Sequence, residues 1–152
     1  MESYEKVIDA FIEKWGRNVS VDPESTEKVG SAETRLGFEF PAPYKYLLSK
    51  SIRLHTPGIL DKIVDLELDI NDVQNFSDPA DLIEETQAYE KAGMPSGYLG
   101  FAIDCMGNMF LFKIEELKIE ANVAIYFFDH DFITVESVSP SFEEWISQYN
   151  GI

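Results

Sequence analysis

The sequence has little of what several familiar classes of protein require. Its 152 residues include one cysteine, Cys105, so no internal disulfide can form and nothing favours an oxidising compartment. The first residues lack the basic start and apolar run of a signal peptide, and no stretch approaches the roughly 18 consecutive apolar residues of a membrane span. We therefore expect a soluble, cytoplasmic protein.

Basic residues are also scarce. The chain has 12 Lys and Arg residues against 28 Asp and Glu residues, a formal net charge of −16. Phosphate groups and anionic lipid surfaces are bound by basic protein faces, so we expect neither a nucleic acid nor a membrane as partner. The excess of acidic residues is concentrated in residues 61–90. This segment holds ten acidic residues and one basic residue, Lys62, which gives it a net charge of −9. This favours a basic protein partner, because complementary fields speed encounter; high solubility alone is the open alternative.

Catalytic constellations are missing as well. The chain contains no G-x-S-x-G, H-E-x-x-H or P-loop motif, and its histidines are His55 and His130 alone. A Cys105–His130 pair is conceivable if both residues lie at strand ends. However, Cys105 stands between an aspartate and a methionine, with no neighbouring cation to stabilise a thiolate. We expect no enzymatic activity.

A metal site is the other chemistry that the sequence suggests. Asp129-His130-Asp131 could bind a cation, with Asp104 of the neighbouring hairpin as a further ligand. In an extended segment only Asp129 and Asp131 would point the same way, and turns favour Asp for hydrogen-bonding reasons alone. We therefore expect no bound metal and no cofactor.

Apolar residues are plentiful. They make up 45% of the chain and include 11 Phe, 7 Tyr and 2 Trp, enough to build one core without a disulfide or metal. No repeat, low-complexity tract or linker divides the sequence. We expect a single domain over residues 1–152, with a monomer favoured.

Hydrophobic periodicity predicts both helices and strands, which indicates an α+β fold. Helices are predicted to close near Gly16, to run from Asp22-Pro23 to Leu36, and to begin at Pro43, at Asp78-Pro79 and near Ser139-Pro140. Strands are predicted at 64–70, 98–103, 109–114, 123–128 and 132–135. The strand at 64–70 would alternate Val64, Leu66, Leu68 and Ile70 with an outer face of Asp65, Glu67 and Asp69.

Acidic residues are the candidate protein-binding groups. The predicted helix after Asp78-Pro79 would bury Leu82, Ile83 and Tyr89 and would expose a carboxylate face. A docking surface and a merely solvated face explain that helix equally well. The full candidate set is Asp65, Glu67, Asp69, Asp81, Glu84, Glu85, Asp104, Asp129 and Asp131.

Three segments together resemble the SUKH superfamily, which includes the Smi/Knr-type yeast regulators of cell-wall synthesis and many bacterial toxin-immunity proteins. Residues 33–45 resemble its entry motif E-x-x-L-G-x-x-(L/F)-P-x-x-Y-K, through Glu33, Leu36, Gly37, Pro41 and Tyr44. Residues 99–112 resemble its central hairpin and include Asp104 and Gly107. Residues 127–146 resemble its closing strand and its S-F-x-x-(F/W) helix, and they include Phe142 and Trp145. The sequence departs from the family at residues 49–53, where an Asn-Gly-Gly type of helix end is frequent.

The resemblance implies a mixed, mostly antiparallel sheet flanked by helices and used to bind proteins. Its motif residues are interpreted as structural: Gly37 as a left-handed helix end, Tyr44 beneath the sheet and Gly107 in a hairpin turn. The leading functional expectation is an immunity protein that occludes a cognate toxin, for example a nuclease or deaminase with a basic cleft. The alternative is a non-catalytic regulatory scaffold of the Smi/Knr type.

Overall fold

The computed structural model describes residues 3–119 and 123–152. In chain order the elements are α1 (Tyr4–Trp15), α2 (Ser25–Leu36), α3 (Ala42–Lys50), α4 (Gly58–Leu66), β1 (Asn75–Phe76), α5 (Leu82–Lys91), β2 (Tyr98–Ile103), β3 (Met109–Lys113), α6 (Ile114–Leu117), β4 (Ile125–Asp129), β5 (Thr134–Ser139) and α7 (Phe142–Asn150). The strands form one sheet in the order β1-β2-β3-β4-β5. The predicted α+β class is confirmed, and the strand pairs seen in the described residues are all antiparallel, where a mixed sheet was expected.

Local signals explain where the helices begin and end. The Ser141 hydroxyl accepts a hydrogen bond from the Glu144 amide at 3.1 Å and caps α7. Gly37 ends α2 with φ of 85°, a left-handed conformation that costs glycine little. Glu33 then secures the link to α3, because its Oε2 accepts from the Phe40 amide at 2.6 Å. Pro41 lies at the α3 N-cap with extended backbone, φ −57° and ψ 141°.

The main core lies between one face of the sheet and helices α1, α3 and α7. Tyr44 of α3 is fully buried, with its ring centroid 5.6 Å from Phe101 and 5.2 Å from Phe112. Trp145 of α7 is also fully buried and packs edge-on against Phe101 at 5.4 Å. Phe142 lies 2% exposed beside them, and Leu36 packs half-buried at the margin of this core.

A second, smaller cluster covers the other face of the sheet. Met109 and Leu111 alternate along β3 with residues of the main core, so they point to the opposite face. They pack with Phe128 of β4 and with Met94, just after α5. Both faces of the central strands are therefore buried, which agrees with their nearly continuous apolar sequence.

The strand predicted at 64–70 is wrong. Residues 58–66 form α4, which buries Ile59 and Ile63, one helical turn apart, while Val64 and Leu66 are exposed. Apolar and acidic residues alternate here as they do in a strand. The segment is nevertheless helical, because the helical spacing of Ile59 and Ile63 lets both side chains pack into the core. Glu67 ends the helix in a left-handed conformation, φ 51°. Asp65, Glu67 and Asp69 therefore lie on a helix end and the link after it, and not on the outer face of a sheet.

Smaller differences concern boundaries. The last strand begins at Thr134 and not at Phe132, and it extends to Ser139. The short elements β1 and α6 were not predicted. In α5 Leu82 is buried as expected, but Ile83 and Tyr89 are only half-buried. Within the described part of the chain, no helix combines the length and apolar character needed to cross a bilayer.

Candidate protein-binding surface

The predicted acidic residues of α4 and its following link are free of internal partners. Asp65, Glu67 and Asp69 are exposed, as is Asp61 one turn earlier on the helix. Among the described residues none of the four carboxylates forms an ion pair or a side-chain hydrogen bond. Lys62, the one cation in this part of the chain, is exposed and unpaired within the same residues. These carboxylates are available to an external partner.

Two large apolar side chains lie among these carboxylates. Val64 is 65% exposed and Leu66 is 50% exposed. Val64 and Leu66 are two positions apart on the helix, so they project in different directions, and each has an exposed carboxylate next to it in sequence. At a protein interface such apolar groups give affinity, whereas the charges select the partner. We call the exposed set Asp61, Val64, Asp65, Leu66, Glu67 and Asp69 the α4 surface.

The acidic residues around α5 are used differently. Asp78, just before the helix, is 4% exposed, and its Oδ2 lies 3.1 Å from Arg53 Nε and 3.5 Å from Lys28 Nζ. Glu84 forms an exposed ion pair with Arg35 at 2.9 Å, and this guanidinium lowers the pKa of the Glu84 carboxyl. Two acidic residues of this region, Asp78 and Glu84, are thus neutralised within the fold.

Glu85 and Asp81 complete the α5 set. Glu85 is half-buried rather than exposed, and its Oε2 accepts a hydrogen bond from Ser77 Oγ at 2.5 Å. Burial raises the pKa of the Glu85 carboxyl, and the nearby charges of Asp81 and Asp78 raise it further, against the Ser77 hydrogen bond. Asp81 is exposed at the start of α5 and makes no ion pair within the described residues.

Asp104 is a structural residue of the β2–β3 turn. It is 6% exposed, and its Oδ1 accepts from the amides of Met106 at 2.9 Å and Asn108 at 2.8 Å. Its Oδ2 accepts from Asn108 Nδ2 at 3.1 Å. Gly107 completes the turn with φ of 82°. Because both oxygens are engaged and the residue is almost fully buried, Asp104 is poorly placed to meet a partner.

Asp129 and Asp131 lie in the β4–β5 turn beside it. Asp129 Oδ1 accepts from the amides of Asp131 at 2.9 Å and Phe132 at 3.2 Å, so it shapes its own turn. The two turns are joined because Asn108 Oδ1 accepts from the His130 amide at 3.0 Å. Asp131 is exposed, 3.4 Å from His130 Nε2.

Cys105 and His130 do not form a nucleophilic pair. Cys105 is an exposed residue, but partial desolvation of its thiol and then a hydrogen bond to Asp72 raise the pKa of that thiol to about 11, so it is protonated at neutral pH. His130 Nδ1 lies 2.6 Å from Asn108 Oδ1 and is engaged there. In residues 3–119 and 123–152, no group of three or more His, Cys, Asp or Glu side chains is placed to hold a metal ion.

The nine predicted residues thus fall into three sets held by different elements. The turn set is brought together through Asn108, whereas no hydrogen bond among described residues joins the α4 and α5 sets. Sequence reasoning missed Val64 and Leu66 because it placed them on the buried face of a strand. The spacing of Ile59 and Ile63 after Pro57 was the signal that could have revealed them.

Comparison with known proteins identifies the family. A model of the SMI1 / KNR4 family (SUKH-1) matches residues 23–148, most of the chain and all of the sheet. The match includes the three segments whose resemblance was noted from sequence. No curated protein matches the chain.

Proposed function

The chain belongs to the SMI1 / KNR4 family (SUKH-1), and from that premise we propose that it is an immunity protein that neutralises a cognate bacterial toxin by binding and occluding it. The α4 surface is the observation that carries this proposal. It combines unpaired carboxylates with exposed Val64 and Leu66, a composition suited to a basic protein partner.

The expected partner is a toxin with a cationic cleft. Nucleases and nucleic-acid deaminases bind phosphates through basic residues, and carboxylates can occupy such a cleft in place of phosphate. The α4 surface offers four carboxylates on one helix and its following link. Steering by these charges brings the toxin to the surface, and the apolar pair supplies short-range contact.

The proposed role is non-catalytic. Two observations support it: the raised pKa keeps the Cys105 thiol protonated at neutral pH, and within the described residues no hydrogen bond joins Cys105 to His130. Turnover by the purified protein on nucleic acid, ester or peptide substrates, lost on Cys105→Ala or His130→Ala, would contradict this part of the proposal.

The test is co-purification of the tagged chain from its native host, followed by co-expression with the recovered partner. We expect a toxin whose cell killing is suppressed by the parent chain. Changing Val64 and Leu66 together to Ser should reduce both capture and protection. The matched control changes Val21 and Ile119 to Ser, since these are similarly exposed, at 64% and 77%. Recovery of a non-toxic enzyme or structural protein as the stoichiometric partner would favour the regulatory scaffold instead.

A further inference from the structure

A cavity of about 220 Å³ lies between α5 and the β1 side of the sheet. Its lining includes Ser77 and Glu85 on the polar side and Tyr89, Ile103 and Met109 on the apolar side. Its volume is below the roughly 300–1,000 Å³ of sites for small organic ligands, so it suits a single side chain better than a cofactor.

The cavity contains a carboxylate without a counter-ion. Ser77 donates to Glu85 Oε2, whereas Oε1 has no hydrogen-bond partner among residues 3–119 and 123–152. Asp78 and Asp81 lie near enough to raise the pKa of the Glu85 carboxyl, and Glu85 forms no ion pair among the residues that the structure describes. Asp78 is itself paired with Lys28 and Arg53, which leaves Glu85 as the uncompensated group.

The other walls select the shape of a suitable cation. The Tyr89 hydroxyl donates to the Gly107 carbonyl at 2.7 Å, which fixes the ring at the edge of the cavity. A fixed aromatic ring beside a carboxylate favours a planar guanidinium, which can stack on the ring and donate two hydrogen bonds to the carboxylate. An ammonium group can also lie over an aromatic ring, but it has neither a plane to stack nor the rigid fork that donates two parallel hydrogen bonds to one carboxylate.

We propose that this cavity receives an arginine side chain of the partner protein and pairs it with Glu85. The inference rests on the proposed protein-binding function and adds to it a specific contact outside the α4 surface. Glu85 would then act as the anchor of the complex, because a partly desolvated, charge-assisted pair slows dissociation more than exposed charges do.

The test uses a small probe and needs no toxin. N-acetyl-arginine methylamide is titrated into the ¹⁵N-labelled protein, with the citrulline and lysine analogues as neutral and ammonium comparisons. We expect saturable amide shifts at Ser77, Glu85 and Ile103 with the arginine probe and weaker or no shifts with the others. Glu85→Gln should weaken the arginine probe by about tenfold or more, the usual effect of losing a charge-assisted hydrogen bond.

Two further variants separate this site from general attraction to an acidic protein. Ala88→Leu narrows the cavity without changing charge and should also abolish saturation, since Ala88 lines it. Glu84→Gln removes one charge from the same helix and should leave probe binding unchanged. Equal binding of the citrulline or lysine analogue, unsaturable shifts, or full binding by Glu85→Gln would overturn the inference. Such a failure would leave toxin binding by the α4 surface untouched, because co-purification tests that independently.

Discussion

The two acidic helices of this protein use their charge in opposite ways. Around α4 the carboxylates are exposed and form no ion pair with any residue that the structure describes, and Val64 and Leu66 are exposed beside them in the sequence. Around α5 Asp78 and Glu84 are paired with cations of α2 and of the link before α4, and Glu85 is half-buried in a cavity. A similar density of acidic residues thus gives exposed carboxylates in one place and internal contacts in the other.

The comparison shows that charge in the sequence does not by itself identify an interface. Exposed charges act over roughly 8 Å at physiological ionic strength, so they affect chiefly how fast a partner arrives. Partly buried carboxylates act over hydrogen-bond distances and affect which group is held. We propose the first role for the α4 surface and the second for Glu85.

The largest expected effect tests whether α4 and α5 belong to one cooperative folding unit. Trp145→Ala should lower the free energy of unfolding by about 3–5 kcal/mol, because it empties a fully buried aromatic site of the main core. Unfolding in urea should be followed by amide signals of α4 and of α5. The two sets should give the same midpoint, as expected for a cooperative domain. If the α5 signals persist after α4 unfolds, the two regions are not parts of one unit.

A smaller expected effect on stability distinguishes a carboxylate that is paired within the fold, Asp78, from an exposed carboxylate of the α4 surface, Asp65. Asp78→Ala should cost about 1–3 kcal/mol, because its buried carboxylate accepts from the Ala80 amide at 2.9 Å and pairs with Lys28 and Arg53. Asp65→Ala, on the α4 surface, should change stability by no more than about 0.5 kcal/mol. Thermal and urea unfolding measure both. Similar losses from the two changes would mean that α4 carboxylates also stabilise the fold.

The smallest expected effect on stability distinguishes Glu85 from its neighbour Glu84 on α5. Replacing each by Gln should change the stability of the protein in opposite directions at neutral pH. Burial raises the pKa of Glu85, so its ionisation disfavours the folded state as pH rises above the ordinary value of 4.5. Glu85→Gln should therefore stabilise the protein slightly at pH 7 and have no effect well below pH 4.5. Glu84 has a pKa lowered by Arg35, so Glu84→Gln should lose a marginal stabilisation that is present above that value. Melting temperatures between pH 3.5 and 7.5 report both, and equal signs would contradict the assignment.

The buried residues of the core are easier to predict from the sequence than the exposed residues of the surface. The α1 and α7 stripes were predictable because buried residues recur at helical spacing, and Phe142, Trp145, Ile146 and Tyr149 are all buried. Helix α4 was not, because its exposed Val64 and Leu66 imitate strand alternation. The cavity at Glu85 was also beyond prediction, because it forms where α5 packs against β2 and its walls come from residues far apart in the sequence, between Asn75 and Met109.

The most direct test of the account is the association rate of the purified partner, measured across ionic strength. One variant carries Asp65→Asn, Glu67→Gln and Asp69→Asn, and a matched control carries Gln at Glu5, Glu13 and Glu27, which are exposed and unpaired among the described residues. At low salt the α4 variant should associate about 3–10 times more slowly than the parent, a share of the roughly 10–10³ that electrostatic steering provides, and the control should stay close to the parent. The difference should shrink as salt is added, with little change in dissociation. Equal slowing by both variants would show that only total charge matters, and an unchanged rate for the α4 variant would contradict the claim that this surface receives the partner.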